Sequence, residues 1–404
     1  MRVRTRNAPA LLLFAALSLA AAPTALGRRQ DDSAERRRAE ELVRQGNFVA
    51  ALPLLEKLSA AAPSDGELMF FLGYAVLGNA RTLKEADARK AARLRARALM
   101  LKARELGFDD PLMTSILETI PPGGGPDEVF SRNAQADAAM REAEVAFVQG
   151  KTDEALAAYQ LALRHDPRLY EAALFSGDMY LKKEQYDRAA EWYAKAVEID
   201  PDRETAYRYS ATPLMRQKRY DEAKARYVEA VVAEPYNRLT WAGLSQWARA
   251  AGVQLAHANV EVPTEFSDEG GKMTINLDPK LAAKDDGTAA WAAYGLTRAV
   301  WRTQKFAKEF PAEKQYRHTL REEADALRAV VTSVREQQKE GKVKALDPNL
   351  ARLVRLHDEG LLEAYVLFAR PDRGIAEDYA DYRKANRDKL RRYLVEYVTA
   401  PPRQ

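Results

Sequence analysis

Four columns of residues recur every 34 positions through the centre of this chain, and that period fixes the architecture there. Asp166-Pro167, Asp200-Pro201 and Glu234-Pro235 are in register. So are Ala155, Ala189 and Ala223, then Tyr159, Tyr193 and Tyr227, then Ala162, Ala196 and Ala230. A fixed period of this length marks one supersecondary unit stacked on copies of itself. Each copy divides into two helical segments. In the second copy, Tyr170 to Lys183 places Leu174, Gly177 and Leu181 on one face, and Tyr186 to Ile199 does the same with Ala189, Tyr193, Ala196 and Val197. Spacings of three and four make an apolar helical stripe. The small alanine lets neighbouring helices approach, and the tyrosine four residues later fills the space beside it. Proline stops the second helix, because it lacks an N–H and clashes with the preceding turn.

The pattern resembles the tetratricopeptide repeat (TPR) family. That family favours Leu-Gly in the first helix, Ala early in the second, an aromatic four later, Ala three after that, and Pro at the end. Copy one (Ala136 to Leu169) keeps Ala155, Tyr159, Ala162 and Pro167, with Glu142-Ala143 in place of Leu-Gly. Copy two (Tyr170 to Arg203) keeps Gly177, Tyr180, Ala189, Tyr193, Ala196 and Pro201. Copy three (Glu204 to Asn237) keeps Tyr207, Ala223, Tyr227, Ala230 and Pro235. Trp241 and Leu244 then suit a capping first helix. Towards the N-terminus, Ala39, Gly46, Phe48, Ala51, Leu55 and Pro63 fit the same template, followed by Leu72-Gly73 and, after some extra residues, Ala96, Met100 and Ala103. The expected fold class is all-α: a TPR-type solenoid of antiparallel helix pairs, then a small β-hairpin and a C-terminal helical domain whose family the sequence does not reveal.

Composition and punctuation set the boundaries. Residues 1–27 read as a signal peptide: Arg2, Arg4 and Arg6, an apolar run from Ala10 to Ala22, and Ala25-Leu26-Gly27 as a small-x-small cleavage site. The run is too short to favour a membrane span. Degenerate TPR-like helices follow at 28–120, a Pro/Gly linker at 121–126 and the array at 127–252. Residues 253–286 read as a β-hairpin and linker, because Val260 and Val262, then Met273, Ile275 and Leu277, alternate around Gly270-Gly271. Residues 287–404 read as a helical domain of roughly four helices, with Trp291, Tyr294, Leu296, Ala299, Val300 and Trp301 on one apolar face. The chain has 63 Lys and Arg against 59 Asp and Glu. Signal cleavage would remove three arginines, leaving a nearly neutral protein, which argues against nucleic acid as partner. The basic run Lys84 to Lys102 reads as a solvated helix face. The absence of cysteine excludes disulfides, thiol nucleophiles, zinc–thiolate sites and a lipobox. A soluble periplasmic or secreted protein is the expectation.

Catalytic motifs are scarce. The four histidines, His165, His257, His318 and His357, sit in no His-Glu-x-x-His, and neither Gly-x-Ser-x-Gly nor a phosphate-cradling loop occurs. His318 and Glu322 share a helix face, with His357, Asp358 and Glu359 in the next helix. An ordinary ion pair accounts for them, so neither a metal nor any other cofactor is assigned. Glu377, Asp378 and Asp381, near Asp372, read as acids complementing a helix dipole. The TPR resemblance implies instead a groove lined by the first helices. Its positions carry Asp137, Met140, Glu144 and Phe147 in copy one, and Glu171, Leu174, Asp178 and Leu181 in copy two. Copy three contributes Thr205, Arg208, Thr212 and Met215, and the capping helix Leu239, Gln246 and Arg249. Mixed charge with apolar anchors suits an extended or helical peptide. The positions where one TPR subgroup grips a C-terminal carboxylate with Lys and Asn hold Met140 and Glu144, so that activity is not expected here. The leading expectation is a non-catalytic scaffold binding a protein or peptide. The alternatives are an enzyme, such as a metal-dependent hydrolase, with its site in the C-terminal helical domain and the repeats recruiting substrate, and self-assembly through the array ends.

Overall fold

The computed structural model describes residues 30–400, except 84, 126–128, 270, 271, 277 and 283. The signal-peptide expectation therefore lies outside the described residues, as do Lys84, Pro126 and Leu277. The chain divides into two compact units, residues 1–200 and 201–404.

The first unit holds helices α1 (Gln30–Arg44), α2 (Phe48–Ala61), α3 (Gly66–Ala80), α4 (Ala86–Glu105), α5 (Pro111–Thr119), α6 (Ala134–Val148), α7 (Thr152–His165), α8 (Tyr170–Lys182) and α9 (Tyr186–Ile199). Copies one and two are the hairpins α6–α7 and α8–α9. The turn inside each hairpin is the same local device. Gly46 and Gly150 take the left-handed conformation after the first helix, at φ 76° and 75°. The Gly150 and Lys151 N–H groups bond back to Phe147 and Ala146 carbonyls at 2.9 Å each. That closes the helix end in the way a left-handed C′ residue allows. The same column holds Glu184 at φ 57° and, in the second unit, Lys218 at φ 59°, with identical back-bonding. Those two side chains carry strain that glycine avoids.

Packing between the helices of a hairpin is set by the repeated tyrosine. Tyr159 and Tyr193 are buried, and a Cβ added at Gly177 would stand 2.6 Å from the Tyr193 ring. The family's glycine is therefore a clearance for its aromatic. At the N-terminal end, Ala51, Leu55, Ala96, Met100 and Ala103 lie fully buried in one core with Phe70 and Ile116. The basic stretch departs from the sequence expectation, since α4 does not simply face solvent. Arg97 donates to the carbonyls of Leu117 and Ile120 at 2.8 and 2.6 Å, closing the C-terminal end of α5. Arg93 Nε reaches the Gly124 carbonyl at 2.8 Å and fastens the Pro/Gly linker.

The second unit opens with copy three, α10 (Glu204–Arg216) and α11 (Tyr220–Ala233), then the capping helix α12 (Arg238–Ala251). A short antiparallel pair follows, β1 (Glu265–Glu269) and β2 (Lys272–Asn276), with Phe266 opposite Ile275. Val260 and Val262 are not its first strand. They lie on an extended segment pinned by side chains of the helical domain. Tyr365 OH donates to the Val260 carbonyl at 3.1 Å. Asn349 receives the Glu261 N–H at 2.8 Å and donates to its carbonyl at 2.6 Å. With those backbone groups taken by side chains, no partner strand is needed there.

Helices α13 (Pro279–Ala282), α14 (Ala292–Val300), α15 (Phe306–Glu309), α16 (Leu320–Lys339), α17 (Pro348–Asp358), α18 (Leu362–Ala369), α19 (Arg373–Glu377) and α20 (Tyr379–Tyr393) complete the domain. These are more and shorter pieces than the four helices expected. Trp291, Tyr294 and Trp301 are buried as expected, but Leu296 and Val300 are 60% and 43% exposed. The buried face of α14 follows the aromatics, and the aliphatics fall on the opposite side. Leu350, Leu353, Leu356, Leu361, Leu362, Leu390 and Tyr393 join α11 and α12 residues in one core. Helix α20 is tied to the turn before α10 and to α11 by arginines one turn apart. Arg383 pairs with Asp202 at 2.7 Å, Arg387 with Asp202 and Glu229, and Arg391 with Glu229.

Candidate functional site

The first helices of copies one and two place the expected groove residues in two sets. Met140 and Leu174 are fully buried, and Glu144 and Asp178 nearly so. This corrects their assignment as lining residues. Glu144 receives the Tyr159 hydroxyl at 2.6 Å and pairs with Arg81 at 2.7 Å. Asp178 receives the Tyr193 hydroxyl at 2.7 Å. Each carboxylate sits fifteen residues before its tyrosine, so the pair recurs with the repeat and locks the two helices of a hairpin. A buried polar group must find its partner inside, and these do. Leu174→Asp would thus break the core rather than probe a groove. Leu174→Ala is expected to cost about 2–5 kcal/mol, read as a lower thermal midpoint.

The second set is Asp137, Phe147, Glu171 and Leu181, all half-buried. Asp137 accepts from Phe130 N–H at 2.9 Å and pairs with Arg141 at 3.0 Å. Phe147 and Leu181 offer accessible apolar surface. Lys182, which the sequence reading passed over, sets its ammonium 5.4 Å from the centre of the Phe147 ring. Burial lowers its pKa, and no carboxylate among the described residues pairs with it. The clue in the sequence was its place beside Leu181 in the last turn of a first helix.

In the second unit Thr205, Arg208, Thr212 and Met215 are half-buried, while Leu239, Gln246 and Arg249 are exposed. Arg208 is not a free charge. It grips buried Glu204 through two nitrogens at 2.7 and 3.0 Å. Burial opposes its charge, but the Glu204 carboxylate outweighs that and raises its pKa. Thr212 stands where Glu144 and Asp178 stand in the earlier copies, so Tyr227 has no carboxylate in that column.

The helical domain encloses a charged cluster. Glu322 and Glu323, side by side at the start of α16, are buried. Arg298 from α14 reaches Glu322 at 2.6 Å and Glu323 at 3.3 Å. Arg370 after α18 reaches Glu323 at 3.1 Å, and Tyr294 OH donates to it at 2.7 Å. Tyr316 OH donates to Glu322 at 2.8 Å. Burial would raise the Glu323 pKa, but His318, Arg370 and Arg298 hold it down to about 2. The His318 ring meets Glu323 and Asp372, not Glu322. Among the described residues no group of three or more His, Asp or Glu could hold a metal ion. The acids near α20 are likewise structural. Asp378 accepts the Leu320 N–H at 2.8 Å and pairs with Arg317 at 2.6 Å, and Asp372 caps α19 through Ile375 N–H at 2.8 Å. A cleft of about 390 Å³ lies beside residues 257–261, against Tyr365, Ala369 and Arg370.

The helix pairs with their tyrosine, alanine and proline columns define a protein of stacked helical repeats. The profile of the Tetratricopeptide repeat family matches residues 36–98 and 134–204. The chain therefore carries tetratricopeptide repeats in its N-terminal helices and in copies one and two; copy three and α12 lie beyond the matched residues. No curated protein shows a significant match. Among solved structures, the chain is similar to the first TPR domain of Spaghetti (RPAP3) bound to the HSP90 peptide SRMEEVD, at 21% identity over 30% of this chain and 99% of that one, TM-score 0.28. It is similar to the Arabidopsis OM64 TPR domain at 19% identity over 30% and 99%, TM-score 0.28. It is also similar to TTC0263, a thermophilic TPR protein of Thermus thermophilus, at 19% identity over 54% and 99%, TM-score 0.27.

Proposed function

We propose that this protein is a non-catalytic interaction scaffold of the bacterial cell envelope, and that α6 and α8 hold a protein or peptide partner. Phe147, Leu181 and Lys182 carry the reading. They put accessible apolar surface and an ammonium without an acid partner among the described residues on the first helices of adjacent repeats. Stacked helical repeats use such surfaces for extended ligands. An apolar residue fits the Phe147–Leu181 surface, and a carboxylate beside it meets Lys182. The catalytic alternative rested on His318, Glu322 and His357, and against it the His318 ring meets Glu323 and Asp372 rather than Glu322.

The pair Phe147→Ser and Leu181→Asp alters half-buried positions and leaves Leu174 and Met140 in place. Central anchors of an interface are worth about 2 kcal/mol each, close to thirtyfold in Kd. The double variant is expected to keep its helical circular dichroism and lose partner capture from an envelope extract. Capture at the unaltered level would remove the first-helix surface from the proposal. The envelope location rests on residues 1–27. Mass spectrometry of the protein made in its native host is expected to find a mature N-terminus just after Gly27; an intact Met1 terminus in the cytoplasmic fraction would contradict it.

A further inference from the structure

His318 lies in the segment that leads into α16. Its Nδ1 is 2.6 Å from Asp372 Oδ2, and its Nε2 is 3.2 Å from Glu323 Oε2. The second contact has ion-pair distance without the alignment of a good hydrogen bond, and Nε2 is buried with no better partner. A neutral imidazole has one N–H and one lone pair. Between two carboxylates, either tautomer would turn that lone pair on an anion. Only the imidazolium offers a donor to both.

The surrounding charges lead to the same conclusion. α16 supplies Glu322 and Glu323, and the turn before α19 supplies Asp372. Facing these three anions, α14 supplies Arg298 and the end of α18 supplies Arg370. Tyr294 and Tyr316 face the cluster as neutral donors, and Tyr316 is pushed up to about 12, chiefly by burial. Arg317, next to His318, is engaged by Glu313, Glu377 and Asp378. A proton on His318 brings the third positive charge. The backbone is close here too: a Cβ added at Gly374 would collide with the His318 carbonyl oxygen.

We propose that His318 is a proton-operated latch between α16 and α19. Protonated, it closes the joint on Glu323 and Asp372; deprotonated, it lets the joint open. Burial opposes the charge on His318, and Arg298 adds to that opposition. Glu323 and Asp372 outweigh both and raise its pKa. A group raised on folding stabilises fully below its unfolded value, about 6.5, and loses that effect as pH rises through the folded value. The joint is therefore closed below about pH 6.5 and loosens as the pH rises through the higher folded value.

The test is imidazole NMR on the full chain, whose four histidines allow assignment by His318→Gln. His318 is expected to titrate above about 6.5, the ordinary value. Amide exchange at 373–377, normalised for intrinsic base catalysis, should rise through the same midpoint, by up to about tenfold per unit of separation between folded and unfolded values. In His318→Gln that exchange should be high and independent of pH. Asp372→Asn, at a half-exposed side chain, should lower the His318 midpoint. A wild-type midpoint at or below the ordinary value, or flat normalised exchange, overturns the latch. Should His318→Gln fail to fold, an unchanged midpoint in Asp372→Asn overturns it as well.

Discussion

Glu323→Ala is expected to destabilise the second unit by about 3–5 kcal/mol. Glu323 is buried and ionised, and it receives Tyr294, Arg298, Arg370 and His318. Removing it strips Arg370 of its carboxylate, leaves Arg298 with Glu322 alone and leaves the imidazolium with Asp372 alone. The penalty comes from cations left with too few anions more than from any one lost pair. Glu323→Gln keeps an acceptor for Tyr294 or Arg370 and should cost less. Buried Trp291 and Trp301 lie in this unit, so denaturant unfolding followed by tryptophan fluorescence reports it. Equal midpoints for wild type and Glu323→Ala would mean that the cluster contributes nothing to stability.

Arg383→Ala with Arg387→Ala is expected to free α20 from α11 and the turn before α10. Arg387 alone reaches Asp202, Glu229, the Pro201 carbonyl at 2.9 Å and the Tyr207 hydroxyl at 3.1 Å. Arg383 reaches Asp202 and the Ala233 carbonyl. Hydrogen bonds to charged groups contribute about 1.5–3 kcal/mol each; partial exposure cuts that, so a joint loss of about 3 kcal/mol is expected. Limited trypsin digestion should cut first within 384–392 in the variant. Wild-type resistance to trypsin would show that Tyr379, Leu390 and Tyr393 hold the helix unaided. The anchoring is particular to this repeat boundary. The column of Glu229 holds Leu161 and Lys195 in the earlier copies, and the column of Asp202 holds Arg168.

The repeat was legible because its residues act locally and periodically. Tyr193 needs Gly177 beside it, Pro201 must end a helix, and both demands recur every 34 residues. The N-terminal pairs were legible for the same reason through Ala51, Leu55 and Gly73. The fate of the carboxylates was not. Glu144 and Asp178 look like groove acids when the family's positions are carried over, and only the tyrosine hydroxyls, fifteen residues on, show them facing inward. Val260 and Val262 alternate like a strand, but Asn349 and Tyr365 satisfy that backbone, and such distant side-chain donors leave no periodic trace. The C-terminal ion network escaped for a similar reason. His318 and Glu322 obey helical spacing, but His318 precedes α16, so its ring meets Glu323 and Asp372 instead.

Site-specific photo-cross-linking tests the scaffold reading most directly. A photoreactive residue at position 147 or 181, on the first helices, is compared with one at exposed position 191 on the second helix α9. The account predicts that the same partner is captured in the native envelope from 147 and 181 and not from 191. Capture from 191 with none from 147 or 181 would contradict it.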